Sequence, residues 1–323
     1  MHMADALLSP SVGLAMNAVS IAAIGVSVAK VKKYDLSEKM VPIMGVAGAL
    51  VFAGQMINFT IPGTGSSGHI GGGILLAGLL GGVPAFLSIA AVLIIQCLFF
   101  ADGGLLALGS NIFVMGVIPC LVMYPLIFKP LLKNGTSYKR LTVASIVSVM
   151  TGLELGAFGV VLLTLLSGIT ALPFGTFAAL MLPIHLAIGL VEGIVTAAVL
   201  CFIYKMRPEI LDTTRSSERL SGVSVKKIVI ILAICAVVVG AGLSLFVSQN
   251  PDGLEWSIAK TTEQSGTGDD LHANLQEDIA ILPDYKYPSL SGIIGGAVTF
   301  ALAGAAGIVI TKMKKGKKVA QDG

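Results

Sequence analysis

Charged residues are scarce in this sequence: aspartate, glutamate, lysine and arginine make up only 12% of its 323 residues. A soluble globular domain carries about twice that fraction. Hydrophobic residues reach 55%, and the mean hydropathy is +0.90. One water-soluble core cannot bury that much apolar surface. These values exclude a soluble domain and predict an all-α polytopic membrane protein surrounded by lipid.

Other absences limit the possible partners, metal sites and energy sources. The net charge is only +3, so nothing indicates nucleic acid as a partner. The four cysteines stand singly in apolar runs, without the spacing of a disulfide framework or a zinc site. No basic region precedes the first apolar run, so we expect no cleavable signal peptide. No phosphate-binding G-x-x-x-x-G-K-[ST] loop occurs. ATP-driven work would therefore need an ATPase on another chain.

Nine apolar runs predict about nine transmembrane helices. The runs are 12–31, 41–59, 70–80, 83–100, 105–128, 141–166, 177–204, 228–247 and 290–310. Most reach the roughly 20 residues that a spanning helix needs. The third run is shorter, and Gly81, Gly82 and Pro84 separate it from the fourth. We expect a short or re-entrant helix there.

The distribution of basic residues predicts the orientation. All lysines and arginines except Lys260 and Lys286 lie at the end of, or after, the first, fifth, seventh or ninth run. Cytoplasmic loops carry the excess of positive charge in membrane proteins. The N-terminus is therefore predicted outside and the C-terminus inside.

The runs group into two predicted domains, 1–222 with seven runs and 223–323 with two. A polar, charged cytoplasmic linker joins them. The second domain is predicted to be a two-helix hairpin whose connecting loop, 248–288, lies outside. That loop is acidic and contains few large apolar residues, so we expect it to be mobile in part.

The first two residues, Met1 and His2, can chelate a metal ion. The Met1 amine, the deprotonated His2 amide and the His2 imidazole would form fused five- and six-membered rings. Three nitrogens in one plane need a fourth, and a square-planar nitrogen set favours Ni(II) or Cu(II) over tetrahedral Zn(II). The alternative is an exposed terminal histidine that binds nothing.

A second candidate ligand is His69, which follows the uncharged Gly/Ser-rich segment 61–68. Glycines allow the close backbone approach that a small ion requires. Gln55 and Asn58 lie nearby in sequence and could share a cavity with His69. From the residues alone, an ordinary hydrogen-bonded loop histidine is an equal alternative.

Four more polar residues lie within or beside apolar runs: Glu154, His185, Glu192 and Asp102. His185 and Glu192 are two helical turns apart and share a face. Carboxylates at membrane depth are costly unless paired or hydrated, so function is one hypothesis. The other, which we favour for Glu154, His185 and Glu192, is a network that fixes helix packing around the site.

Six segments stand out together: Met1–Pro10, Phe52–Phe59, Gly68-His69, Gln96–Gly109 with its Ala101–Gly104 turn, Ser110–Gly116 and His185–Gly193. Together they resemble a known family, the membrane-embedded substrate-binding subunits of energy-coupling-factor nickel/cobalt transporters. The resemblance covers about residues 1–200. One departure is Ala6-Leu7, where many relatives carry a glycine–aromatic pair. The string Asn250–Trp256 is similar to the external signature of the small two-helix accessory subunit of the same transporters.

The resemblance implies a metal held by Met1, His2 and His69, so His69 supplies the missing fourth nitrogen. It implies Ni(II) or Co(II) as transported substrate, a transmembrane coupling subunit and two ATPase subunits as partners, and a multi-pass location in a prokaryotic inner membrane. Nickel is the first reading, and cobalt for cobalamin synthesis is the alternative. Two further alternatives are an assembly subunit without metal and a membrane metalloenzyme. The enzyme is disfavoured because no H-E-x-x-H string is present.

Overall fold

The computed structural model describes residues 2–31, 40–212, 225–265 and 280–319, and most of these residues are helical. The helices are α1 (Pro10–Val31), α2 (Met40–Gln55), α3 (Gly73–Leu80), α4 (Gly82–Phe100), α5 (Leu108–Leu132), α6 (Tyr138–Ser167), α7 (Phe174–Met206), α8 (Val225–Val237), α9 (Gly253–Ser265) and α10 (Pro288–Val319). Short 3-10 turns lie at Asp5–Leu7, Pro208–Ile210 and Pro283–Tyr285. The helix α8 continues through a π-helical turn, Val238–Gly242, and a 3-10 turn, Leu243–Phe246.

Each predicted apolar run contains one of these helices, and α9 is additional. In the described ranges, six helices are long and apolar enough to cross a membrane: α1, α4, α5, α6, α7 and α10. The helices α2 and α8 contain shorter apolar segments. The helical membrane class is thus confirmed, while the total of nine crossings stays a prediction. The predicted domain boundary at 222 and Met1 lie outside the described residues.

The helix α3 is short and lies entirely inside the protein. All eight of its residues are buried, so its backbone never meets lipid. It turns into α4 at Gly81, which has a left-handed φ of 87°. At 1.5 Å per residue, α3 is about 12 Å long and α4 about 28 Å. The segment that precedes α3 therefore reaches well below the end of α4, towards the middle of the bundle.

The helices α6 and α7 pack closely through small residues. A Cβ at Gly189 or Gly193 would lie 3.2 Å from the Met150 Cα or 2.9 Å from the Ile146 Cα. Gly189 and Gly193 form a G-x-x-x-G pair, which lets two membrane helices approach with little side chain between them. This contact fixes the face of α7 that carries His185 and Glu192.

The helices α8 and α10 pack against α2, so the accessory hairpin lies directly on the larger domain. The Phe52 ring of α2 fills the space where a side chain at Gly295 would stand. We call residues 225–265 and 280–319 the accessory region. Its position places the segments between its helices over the same end of the bundle as Asp102 and the start of α1.

Apolar side chains cover the outside of the bundle. Leu14 and Ile21 of α1 and Phe202 of α7 are each more than 60% exposed, as expected of side chains that face lipid. The basic residues Lys30, Lys129, Lys205 and Arg207 stand where helices end at the opposite end of the bundle from Asp102. The protein therefore has one basic end and one end where the predicted site residues lie.

Candidate metal centre

The segment before α1 is inserted into the protein. The Met3 N–H donates to Asn111 Oδ1 at 2.8 Å, and Asn111 Nδ2 donates to the Met3 carbonyl at 3.2 Å. The Gly104 N–H also donates to that carbonyl, at 2.9 Å. The Met3 side chain is completely buried. A terminal segment is usually mobile unless it is tied down, and here hydrogen bonds and burial hold it in place.

Asp5 anchors the same segment from its other side. Its Oδ1 accepts the Ala107 N–H at 3.0 Å, and Leu7 and Leu8 beside it are buried. The Asp5 carboxylate also fills the space beside Gly104. Sequence reasoning missed Asp5 and Asn111 as determinants of the site. Asp5, the one acidic residue before α1 in a chain poor in charge, was a usable signal.

His2 is thereby held at the end of α4. Its Nδ1 lies 3.1 Å from Asp102 Oδ1, and its Nε2 lies 3.2 Å from Gln96 Oε1. A carboxylate only accepts hydrogen bonds, so Nδ1 carries a proton in this metal-free arrangement. The six-membered ring of the predicted chelate closes through the same Nδ1, so metal binding would displace that proton. The structure therefore brings the predicted residues His2 and Asp102 together. Gln96, which was noted only as part of the resemblance, contacts the same imidazole.

His69 follows a two-stranded hairpin, β1 (Phe59–Ile61) and β2 (Ser66–Gly68). This segment was predicted as a loop in an all-α protein, and the hairpin corrects that prediction. Gly63 and Gly65 make the turn with left-handed φ values of 76° and 74°. Such a turn allows antiparallel pairing in spite of the few β-forming residues. His69 Nδ1 donates to the Ile70 carbonyl at 3.3 Å, so the imidazole lone pair lies on Nε2.

The two histidine rings are neighbours although they are 67 positions apart. Their centroids lie 5.3 Å apart, and their planes differ by 18°. The rings stack, so small rotations about side-chain torsions would be needed to turn one nitrogen of each towards a common ion. His69 has its second nitrogen hydrogen-bonded to a backbone carbonyl, which is typical of histidines that bind metals through the other nitrogen.

Burial also suits these imidazoles to bind a cation. It lowers the pKa of His2 and lowers the pKa of His69 to well below its usual range. Both imidazoles are therefore neutral at neutral pH, and the neutral ring is the form that binds metal. The nearby Asp102 carboxylate opposes part of the shift at His2.

The remaining predicted residues differ in how they relate to His69. Gln55 Nε2 donates to the Gly71 carbonyl at 2.7 Å, and Glu192 accepts the Gly72 N–H at 3.0 Å, so both hold the segment after His69. His185 and Glu192 line a cavity that also contacts His69. Asn58 lines a second, open cavity beside His2. Glu154 lines neither of these two cavities.

Side chains alone do not complete a metal site in the described part of the chain. No three histidine, cysteine, aspartate or glutamate side chains there converge on one point. Two imidazoles are a sparse set for an ion that prefers four nitrogens. If a metal binds here, the donor set must draw on main-chain nitrogen near His2, as the predicted chelate does.

The accessory region reaches this site through the sequence Asn250–Glu255, which turns into α9. Asp252 Oδ1 accepts the N–H groups of Leu254 and Glu255 at 2.8 and 2.9 Å, and Glu255 Oε2 accepts the Asp252 N–H at 3.0 Å. This reciprocal pair is a capping box. This helix, Gly253–Ser265, lies within the loop that was expected to be mobile in part, and the sequence analysis did not predict it. The D-x-x-E spacing was the signal that could have predicted it.

The turn then contacts β2. The Ser67 N–H donates to the Pro251 carbonyl at 2.8 Å, and Ser67 Oγ donates to the Asn250 carbonyl at 2.8 Å. Gly253 fits against His185, since a Cβ there would lie 3.0 Å from the His185 Cε1. The accessory region thus continues the small sheet that leads into His69.

A second accessory contact reaches the His2 side. The Tyr285 hydroxyl donates to Asp102 Oδ2 at 2.5 Å, while Oδ1 of the same carboxylate faces His2. Burial, and then Asp102, raise the pKa of Tyr285 well above its usual range, so its hydroxyl stays protonated and donates. The accessory region therefore contacts Ser67, two residues before His69, and Asp102, which contacts His2.

Residues 2–210 match the family model described as cobalt uptake substrate-specific transmembrane region. The chain belongs to this family. Residues 226–312 match a second model, the PDGLE domain, whose name spells the sequence from Pro251 to Glu255 that forms the capping box. The chain is therefore a multi-pass membrane protein of a metal-transport family.

Relatives agree with this assignment. A protein of Archaeoglobus fulgidus that carries the name of a fused nickel transport protein is 30% identical over 94% of this chain and 96% of its own length. A cobalt transport protein of Sorangium cellulosum is 28% identical over 66% of this chain and 95% of its own. A crystal structure titled as a truncated transition metal transporter is 30% identical, with a TM-score of 0.56 over 64% of this chain and 99% of the other.

Proposed function

We propose that this protein captures Ni(II) at the outer face of the membrane as the substrate-specificity subunit of an energy-coupling-factor uptake transporter. The observation that carries the proposal is the inserted N-terminal segment, which places His2 beside His69. The proposed donors are the imidazoles of His2 and His69, the His2 amide and the Met1 amine. Met1 lies outside the described residues, and its role stays a prediction.

Orientation is part of the proposal. The site lies at the end of the bundle that lacks the clustered basic residues, and basic loops favour the cytoplasm. The open cavity beside the site is lined by the carboxylates Asp102, Asp252, Glu255 and Asp284. Negative charge around an opening raises the local concentration of cations. These features support entry of the ion from outside.

Energy coupling requires other chains in this proposal. The sequence contains no phosphate-binding loop of the G-x-x-x-x-G-K-[ST] type, so a transmembrane coupling subunit and two ATPase subunits would release the ion inward. Cells that hold this protein with such subunits should accumulate nickel, and an ATPase variant unable to hydrolyse ATP should abolish the accumulation. Equal uptake with the inactive ATPase would contradict this coupling.

Cobalt is the second candidate substrate, because the matching family model and one relative carry cobalt in their names. Nickel is preferred because a planar nitrogen set suits Ni(II), and two-domain relatives carry the nickel name. Competition of Co(II) against bound Ni(II) tests the choice. We expect Ni(II) to be retained at equal concentrations, and displacement by equimolar Co(II) would favour cobalt.

Affinity for Ni(II) should fall in acid. Each amide or amine proton that binding displaces costs about tenfold in affinity per pH unit. The two imidazoles add to this loss only below their ordinary pKa, because burial lowers the pKa of both. We therefore expect a drop of at least about tenfold per unit between pH 7 and 5.5, measured by titration. A flat affinity over that range would rule out the amide and amine as donors.

A further inference from the structure

The accessory region touches the metal centre at two separate points, and each point lies directly behind one histidine. One contact is the pairing of Asn250 and Pro251 with Ser67, two residues before His69. The other is the hydrogen bond from Tyr285 to Asp102, whose second oxygen faces His2. Contacts that only join two domains would not be expected to lie next to both candidate ligands.

Both partners of the contact behind His69, Ser67 and the turn at Pro251, are held in place. Ser67 is fully buried, and its backbone and hydroxyl donate to neighbouring carbonyls of one turn. The turn itself is fixed by the Asp252–Glu255 capping box. Because β2 has only three residues and one partner strand, this added pairing is a large part of what holds it. The position of His69 therefore depends on the accessory region.

The contact behind His2 carries a sign of backbone strain. Asp284 and Tyr285 have left-handed φ values of 50° and 51°, which side chains other than glycine rarely adopt. Such residues persist only where the surroundings fix them, and they concentrate at functional sites. The Tyr285 ring stacks on Phe100 at 4.7 Å, and the Leu282 N–H donates to the Phe99 carbonyl at 2.9 Å. The strained turn thus places the Tyr285 hydroxyl where it donates a hydrogen bond to Asp102.

The Tyr285 hydroxyl determines which way the Asp102 carboxylate points. Its side chain is 25% exposed and lines the open cavity beside His2. The bond from Tyr285 keeps one oxygen in place and turns the other towards His2. A bound divalent ion with one deprotonated amide would leave a net positive charge here, and a carboxylate held close compensates for it. Turned to solvent, Asp102 would compensate less.

We propose that the accessory region supports the metal centre at two points. Ser67 positions His69 against the turn at Pro251. Tyr285 holds Asp102, which orients His2 in the metal-free protein and compensates the charge of the bound ion. The proposal rests on the function proposed above, since it names what holds the two ligands. Tyr285 and Ser67 are positioning residues and bind no ion themselves.

The Tyr285 arm is tested by Tyr285→Phe, which removes the hydroxyl and keeps the ring on Phe100. The matched control is Tyr287→Phe, because Tyr287 is exposed on the same segment. Titration with Ni(II) should show affinity lowered about three- to tenfold for Tyr285→Phe, the loss expected for one buried hydrogen bond, and unchanged for the control. In an Asp102→Ala background, Tyr285→Phe should cost nothing more.

The Ser67 arm has an adjacent control. Ser67→Ala removes the hydroxyl that reaches the accessory turn, whereas Ser66 is equally buried and its hydroxyl donates only to the Ser67 carbonyl. We expect Ser67→Ala to lower the Ni(II) affinity about three- to tenfold and Ser66→Ala to change it less than twofold. Equal effects of the two variants would overturn this arm.

A readout without metal separates this proposal from the proposed function. The ¹⁵N chemical shifts of the His2 imidazole in the metal-free protein report the bond to Asp102. They should change in Tyr285→Phe and stay constant in Tyr287→Phe. If wild-type protein binds Ni(II) through His2 but Tyr285→Phe alters neither shift nor affinity, the positioning role is wrong. If the shift changes but no variant or wild type binds Ni(II), the proposed function is wrong and the contact stands.

Discussion

Replacing either candidate histidine should abolish stoichiometric nickel binding. His2→Ala and His69→Ala each remove one nitrogen from a four-nitrogen set, and His2→Ala also opens a chelate ring. Loss of an outer hydrogen-bond partner of a ligand already costs about 10- to 100-fold in metal affinity. Loss of the ligand itself should cost more than about 100-fold on that scale. The measurement is equilibrium titration of purified protein with an untagged N-terminus.

The control for these variants is His272→Ala. His272 belongs to the acidic segment between α9 and α10 and is no candidate ligand. The His272→Ala protein should bind Ni(II) with the affinity of the unchanged protein. If all three alanine variants bind alike, the metal is held elsewhere, and an assembly subunit without metal becomes the better reading.

Gly104→Ala should also lower the Ni(II) affinity strongly. A Cβ at Gly104 would lie 1.8 Å from Asp5 Oδ1 and 2.5 Å from the Asp5 backbone nitrogen. Atoms cannot approach so closely, so the methyl group must displace the segment that holds His2. Because the Gly104 N–H also bonds the Met3 carbonyl, the displacement should break that bond too. We expect Ni(II) affinity to fall at least as far as in the loss of an outer partner, about 10- to 100-fold.

The bundle itself should survive this change. Gly104 contacts the inserted segment, whereas the α6–α7 packing lies elsewhere. Gly25→Ala is the matched control, since nothing lies within 4 Å of a Cβ at that position of α1. Both variants should elute as folded protein with similar helical content by circular dichroism. Normal Ni(II) binding by Gly104→Ala would show that the inserted position of His2 is not required.

Local sequence patterns predicted the helices well. Each apolar run became one helix, because apolar composition and the absence of charge are properties of the segment itself. The short third run was recognised by its length and by Gly81. In contrast, the 59–68 hairpin was missed because its pairing depends on one turn, at Gly63 and Gly65, and because β2 consists only of serine and glycine. The helix α9 was not predicted because the acidic composition of its loop indicates solvent exposure, whereas only the D-x-x-E spacing indicates the start of a helix.

The predicted ligands stay a prediction, and the structure adds residues that hold them in place and that the sequence did not indicate. His2 could be suggested from chelate chemistry, yet its proximity to His69 follows only from the folded bundle. Tyr285 and Asp102 are 183 positions apart, and Ser67 and Pro251 are 184 apart. Contacts over such separations leave no local pattern in one sequence. Asn111, which helps to hold the inserted segment, was hidden for the same reason.

The central claim is that His2 and His69 hold one Ni(II) ion in a planar nitrogen set. The most direct measurement is the metal content, magnetic state and visible spectrum of the Ni(II)-loaded protein, purified with Met1 unmodified. The account predicts one nickel per chain, diamagnetic and with a square-planar spectrum, and loss of that spectrum in His2→Ala and His69→Ala. A paramagnetic six-coordinate ion, or no stoichiometric nickel, would contradict it.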